Sequence, residues 1–398
     1  MISRCIGCVL LIIGTCIGAG MLALPLATAG GDLIHTAGLF FLAWAVMTLG
    51  AFYLLEVNLW LPEETHLISM AKHTLGPWAQ LLTWIVYLLL LYSLLCAYIS
   101  GGADLTATIL NQGFHLAWSH DLCTVLFTWI LGSVLFFGIV AVDWANRSLM
   151  AIKIVTYFLL VWLVLPHINT ARLWPEHPAS LLGALMVIVC SFGFSTIIPS
   201  LRTYLRSHIL ALRIVIALAS LIPFIFYVLW TFAVQGSVQA FGPDGLIALA
   251  HSNSPVGALT AKLSQLSHHP FLDSVTHIFT AVCITTAFLG VSLSLRDFLA
   301  DGLRVRKKGL GVIGLVLLTL LPPLLIALFF PGIFITGLRY AGLCSVYLLI
   351  LLPGLMVASG RYRRHLAHGY RVIGGKPAVI AELGVGLFLL VFGIRELL

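Results

Sequence analysis

Two stretches of small and hydroxyl-bearing residues interrupt long apolar runs, about half the chain apart. They are Gly14-Thr15-Cys16-Ile17-Gly18-Ala19-Gly20, closed by Pro25, and Ser191-Phe192-Gly193-Phe194-Ser195, closed by Pro199. Glycine in a helix interior costs about 1 kcal/mol and proline about 3 kcal/mol, so both stretches predict unwinding. In hydrocarbon, unwound backbone is tolerated only where it is buried in protein or lines a cavity. Its free groups suit a zwitterion. Half-helix N-termini offer N–H groups and a positive dipole end to a carboxylate, unwound carbonyls accept an ammonium, and glycine removes the Cβ that would hold a ligand away. Thr15, Gly18, Ala19 and Gly20 are therefore expected to receive a carboxylate, and Ser191, Phe192 and Gly193 to face the ammonium and side chain. Neither break carries a formal charge, which favours a neutral amino acid over a basic, acidic or polyamine ligand. Phe194, Tyr92 and Tyr98 can stack on an aromatic side chain. Either break alone reads equally well as close helix packing through small residues. A matched pair in the two halves points to a transporter's substrate site.

Other chemistry is sparse. Lys153 falls inside an apolar run. An ionisable residue at membrane depth is a functional site by default, and the competing reading is a stem that snorkels to the interface. Glu56 and Glu382 are further titratable groups, read as interfacial or locally paired. The eight cysteines are scattered, and Cys5 and Cys8 read as small packing residues rather than a redox or metal pair. No metal-binding spacing, Walker loop, nucleophile elbow or nucleotide fingerprint occurs. No metal or other cofactor and no enzymatic activity are expected. Transport would be secondary, driven by an ion gradient.

The elements that must position these residues follow from composition. The chain has 398 residues, of which 61% are hydrophobic and 9% charged, with mean hydropathy +1.08. A soluble domain of this size needs far more surface charge. Apolar runs of about 20 residues, enough to cross a core of about 30 Å, consume most of the length. They predict an all-α integral membrane protein with eleven transmembrane helices, near 5–30, 33–59, 78–101, 123–141, 148–166, 181–201, 209–234, 272–295, 310–330, 340–357 and 378–394. The first run is too long for a signal peptide, and cleavage would remove the first break. With a cytoplasmic N-terminus, 17 of the 21 lysines and arginines fall on or near the cytoplasmic side, including Arg306, Lys307 and Lys308. That positive-inside bias places the C-terminus on the opposite side. The bilayer and a small-molecule substrate are the expected partners; no nucleic acid and no obligate protein partner are implied.

The first break with its continuation Met21-Leu22-Ala23-Leu24-Pro25 resembles the opening signature of the bacterial hydroxy and aromatic amino acid permeases. Ser191-Phe192-Gly193-Phe194 with Ile198-Pro199-Ser200-Leu201 resembles the sixth helix of that family's tyrosine and tryptophan permeases. Leu91-Tyr92-Ser93-Leu94 and Ala97-Tyr98-Ile99-Ser100-Gly101-Gly102 are similar to the third. Leu289-Gly290-Val291-Ser292-Leu293 with Asp297-Phe298-Leu299 and Asp301 is similar to the end of the eighth, and Tyr340-Ala341-Gly342 with Leu352-Pro353 to the tenth. Where aromatic members carry histidine after Phe-Gly-Phe, this chain has Ser195-Thr196.

The resemblance implies a single transporter domain over 1–398, in the LeuT-like 5+5 inverted-repeat arrangement of the amino acid–polyamine–organocation superfamily. Repeat one would cover about 5–166, repeat two about 181–357, with broken helices 1 and 6 and a peripheral helix at 378–394. It implies import of a neutral, aromatic amino acid such as tyrosine across the bacterial cytoplasmic membrane. For the coupling ion it implies two sites. Thr285 and Thr286 lie where sodium-coupled relatives place hydroxyl ligands, and Lys153 lies where some proton-coupled relatives place a lysine in that sodium's stead. Protons are the favoured ion and sodium the alternative. Other readings are a sodium-coupled or exchanging permease for serine, threonine or a branched-chain amino acid, and a metal-ion transporter of the same superfamily. The metal reading needs a carboxylate or amide in the first break and a methionine in the second, and neither is present.

Overall fold

The computed structural model describes residues 2–63, 65–110, 118–137, 139–175, 178–266, 270–305 and 309–397. Arg306, Lys307 and Lys308 lie outside the described residues. Among the described residues the regular elements are all helical. With little water available to backbone groups in a bilayer, a helix is the element that satisfies its own N–H and C=O groups.

In chain order the α-helices are α1 (Ile2–Cys16), α2 (Ala19–Ala27), α3 (Leu33–Leu59), α4 (Leu67–Leu75), α5 (Pro77–Thr108), α6 (His120–Gly132), α7 (Ile139–Val164), α8 (Leu185–Ser191), α9 (Ile198–Tyr204), α10 (Ile209–Ser237), α11 (Leu246–Ala250), α12 (Pro255–Ser264), α13 (Pro270–Leu303), α14 (Leu310–Phe329), α15 (Phe334–Val346), α16 (Leu352–Tyr362) and α17 (Gly375–Leu397). Among the described residues, ten helical segments are long and apolar enough to cross a membrane, counting His120–Phe137, Leu182–Tyr204 and Phe334–Tyr362 as continuous through their 3-10 or π turns, or up to eleven if the bent pair α1–α2 is taken as one span. That pair bends by 48°. The chain is a multi-pass membrane protein. Several helices outrun their expected limits: the third expected span extends to Pro77–Thr108 and the eighth to Pro270–Leu303. Their ends are polar enough to escape a hydropathy reading yet still hydrogen-bond as helix.

Two close backbone approaches set the interior. Gly342 on α15 lies against the Met186 carbonyl of α8, and Gly50 on α3 against the Leu349 carbonyl; a Cβ at either glycine would collide with that oxygen. Leu349 sits in a five-residue π-helical turn, Tyr347–Leu351, between α15 and α16.

Buried polar pairs tie the helix ends. Glu56 on α3 accepts from the Arg361 Nε at 2.7 Å and from the Val372 backbone N–H at 2.7 Å. Arg202, in the last turn of α9, donates to the carbonyls of Asn58 and Leu61 at the end of α3. Asp104 near the end of α5 contacts the His120 Nε2 at 2.9 Å and accepts from the Val256 N–H at 3.2 Å, joining α5, α6 and α12. The pairing of Glu56 is not local, since its partner is 305 residues away. Glu382 is buried on α17, and its Oε1 has no partner among the described residues.

Candidate functional site

Each break has a local cause. In the first, the Ile17 N–H closes the last turn of α1 on the Ile13 carbonyl, and Gly18 is extended (φ −162°, ψ −152°) ahead of α2. Pro25 lies inside α2, past the break. In the second, α8 stops at Ser191, the Phe194 N–H turns back to the Phe192 carbonyl at 2.9 Å, and a 3-10 turn covers Gly193–Ile197. Pro199 then occupies the first turn of α9, where its missing N–H removes no helical bond. The hydroxyls serve their own helices: Thr15 donates to the Ile12 carbonyl at 2.8 Å and Ser191 to the Val187 carbonyl at 2.9 Å. Such local bonds compete with regular helix and favour its ends.

The two breaks meet. A Cβ on Gly20 would lie 3.2 Å from the Ser191 Oγ, so the absence of a side chain there allows α2 to reach α8 so closely. Both breaks face one cavity of about 640 Å³, a volume typical of small-molecule sites. Thr15, Gly18, Ala19, Gly20, Ser191, Gly193, Tyr98, Lys153 and Thr286 line it, as do Ser345 of α15 and Leu349 of the π-helical turn. From the break the cavity runs along Gly14, Leu11, Leu10 and Gly7 of α1, past Met150, Arg147 and Asn146 of α7, to Tyr204. On the other side of the break, Met21, Leu22, Ala23 and Leu24 are buried.

Lys153 is 1% exposed, and its Nζ donates to the Ile17 carbonyl at 2.7 Å. It does not snorkel. Among the described residues it forms no ion pair, so its hydrogen-bond acceptor is the unwound backbone of the first break. Thr286, on α13, bonds back to the carbonyls of Val282 (2.8 Å) and Cys283 (3.2 Å) of its own helix.

Four expected site residues stand elsewhere. Phe192 and Phe194 are fully buried and outside the cavity wall. The Phe192 ring packs edge-on against Tyr227, with centroids 5.0 Å apart. A 3-10 turn advances each residue by about 120°, so Gly193 faces the cavity while its two aromatic neighbours turn into the core. Tyr92 is six residues from Tyr98 on α5, about one and two-thirds turns, which puts it on another face; its hydroxyl donates to the Leu318 carbonyl of α14 at 2.8 Å. Thr285 is half-buried beside the cavity-lining Thr286 but outside the wall.

One residue carries a contact that its sequence context hides. Tyr227 on α10 is fully buried, and its hydroxyl lies 2.7 Å from the Cys16 carbonyl and 2.6 Å from the Ser191 carbonyl. It therefore touches both breaks. The only sequence signal is one phenol in the apolar run Phe224-Ile225-Phe226-Tyr227-Val228-Leu229-Trp230, where a buried hydroxyl needs a partner.

Several known transport proteins have related sequences. Tyrosine-specific transport system 1 of Haemophilus influenzae is 32% identical over 97% of this chain and 96% of its own length. Tyrosine-specific transport system 2 of the same organism is 28% identical over 98% and 95%. A tryptophan-specific transport protein of Pseudomonas aeruginosa is 29% identical over 95% and 91%. These relatives are transport proteins, and the chain is not an enzyme. The profile of the tryptophan/tyrosine permease family matches residues 1–393, and this places the chain in the tryptophan/tyrosine permease family.

Proposed function

We propose that this protein is a proton-coupled secondary transporter that imports a neutral aromatic amino acid such as tyrosine. Family membership and the names of the relatives support the substrate class. The breaks support the neutral zwitterion, because they offer backbone dipoles and no charged side chain. With Phe192, Phe194 and Tyr92 placed elsewhere, Tyr98 is the expected aromatic residue that lines the cavity, together with Tyr87 and Tyr204.

The observation that carries the coupling reading is the bond from Lys153 to the Ile17 carbonyl. A charged donor makes a hydrogen bond roughly twice as strong as a neutral one. The protonated lysine would hold the unwound end of α1 to α7, and loss of the proton would loosen that hold and free α1 to move. Sodium is favoured less, since Thr285 stands off the cavity and leaves Thr286 as the one expected hydroxyl ligand on its wall.

The chain is read as two inverted repeats, about 5–166 and 181–357, with 378–394 peripheral, in the LeuT-like arrangement. The excess of basic residues argues for a cytoplasmic N-terminus and an opposite C-terminus. The cavity then runs from the breaks toward the cytoplasm, an inward-facing state.

The test is accumulation of labelled tyrosine by proteoliposomes under an imposed pH gradient, with no sodium on either side. Accumulation is expected. Dependence on sodium with indifference to the pH gradient would overturn proton coupling. Absence of tyrosine, phenylalanine and tryptophan uptake under either gradient would overturn the substrate reading.

A further inference from the structure

Cys16 ends α1 and Ser191 ends α8. Carbonyls at the C-terminal end of a helix run out of helical donors and need another source. Both residues line the cavity. The Tyr227 hydroxyl stands between their two carbonyls, at 2.7 and 2.6 Å, and its ring is held edge-on by Phe192. A phenol has one proton. Two acceptors therefore share one donor, and the site keeps unfilled acceptor capacity at the junction of the two breaks.

We propose that Tyr227 is a specificity-determining residue, acting through the Cys16 and Ser191 carbonyls to set how strongly the site demands an amino group on its ligand. It fills part of their acceptor capacity and leaves the rest to the substrate's ammonium, which brings its own N–H donors. The phenol need not touch the substrate to do this. An unmet buried acceptor is costly, so the fewer donors the protein supplies, the more an incoming ammonium gains. This inference rests on the two breaks forming the substrate site.

The measurement is a selectivity ratio: the affinity of purified full-length protein for L-tyrosine divided by its affinity for 3-(4-hydroxyphenyl)propionate, the same molecule without its amino group. Three proteins supply zero, one and two donors at this point. They are Tyr227→Phe, the wild type, and a variant with p-aminophenylalanine incorporated at 227. All keep an aromatic ring against Phe192. The ratio is expected to rise about fivefold in Tyr227→Phe and to fall about fivefold with p-aminophenylalanine, each about 1 kcal/mol. Binding of the desamino acid should change by less than twofold and reports that each protein is folded. A purely structural role would weaken both ligands together and leave the ratio flat.

A flat or reversed order overturns the proposal. If Tyr227→Phe binds neither ligand, the p-aminophenylalanine protein decides: a ratio equal to that of the wild type overturns it. A wild type that binds both ligands equally, or a Gly20→Val variant that binds tyrosine normally, overturns the placement of the substrate site and this proposal with it. Loss of binding in Gly20→Val together with a flat ratio at position 227 removes only the role of Tyr227.

Discussion

The Lys153 ammonium and the Ile17 carbonyl, 136 residues apart in the chain, form a buried 2.7 Å hydrogen bond at the point where the first spanning segment unwinds. The side chain that would otherwise reach for the membrane surface is instead spent on a backbone carbonyl with no helical partner. Lys153→Ala is expected to lose gradient-driven accumulation while retaining tyrosine binding within about threefold, less than 1 kcal/mol. Lys153→Arg should also fail to couple, since arginine stays protonated in proteins. Normal accumulation by Lys153→Ala under an imposed pH gradient would show that the coupling group lies elsewhere.

Gly18 and Gly20 differ in what surrounds them. A Cβ on Gly20 would press on the Ser191 Oγ at 3.2 Å, whereas one on Gly18 would meet Ala287 at an ordinary 3.6 Å. Gly20→Ala should already slow transport, and Gly18→Ala should be better tolerated. Both valine variants should insert in the membrane and abolish uptake. Gly193 has open space where its Cβ would be, so Gly193→Leu should block the cavity and lower affinity without a loss of thermal stability. Near-normal uptake by both valine variants counts decisively against the site.

Competition assays test the substrate class. Tyrosine, phenylalanine and tryptophan should inhibit one another's uptake, while arginine, glutamate and divalent metal ions should not. Arginine inhibiting as strongly as tyrosine is the result that refutes a site built for a neutral zwitterion.

Tyr98 and Tyr92 separate wall from surroundings. Tyr98 lines the cavity, and Tyr92 is bonded to the Leu318 carbonyl away from it. Tyr98→Ala should weaken aromatic substrates by about three- to tenfold, the worth of one aromatic contact. Tyr92→Phe should leave affinity unchanged within twofold. Binding isotherms on both variants decide it, and equal effects at the two positions contradict the placement.

Glu56 and Arg361 test stability. Their side chains are 0% and 5% exposed, and removing one partner strands a buried charge at a cost of about 3–5 kcal/mol. Arg361→Ala should therefore lower the melting temperature in detergent markedly. The double variant Glu56→Gln, Arg361→Met should recover much of the loss, because it leaves no uncompensated charge. A double variant no more stable than the single one argues that the pair is not what holds α3 to α16.

Much of this protein is legible in its amino-acid sequence. Membrane spans are long, apolar and helical by necessity, so their apolar runs mark them though not their polar ends, and the glycines and prolines at 14–25 and 191–199 announce the interruptions. Backbone breaks are local events written in local residues. Whether a side chain beside a break faces the ligand is a different matter. Phe192 and Phe194 share their segment with Gly193, yet the 3-10 geometry sends the aromatics into the core and leaves the glycine at the cavity. Lys153 in the linear chain is equally consistent with an interfacial anchor; the packing of α7 beside the first break is what brings Ile17 within its reach. Tyr227 carries almost no signal, because its role is defined by two carbonyls from segments 211 and 36 residues away. One-dimensional pattern dictates which residues a helix contains and where it must fail; only the tertiary packing, by bringing distant backbone ends together in a medium without water to satisfy them, decides which side chains complete the site.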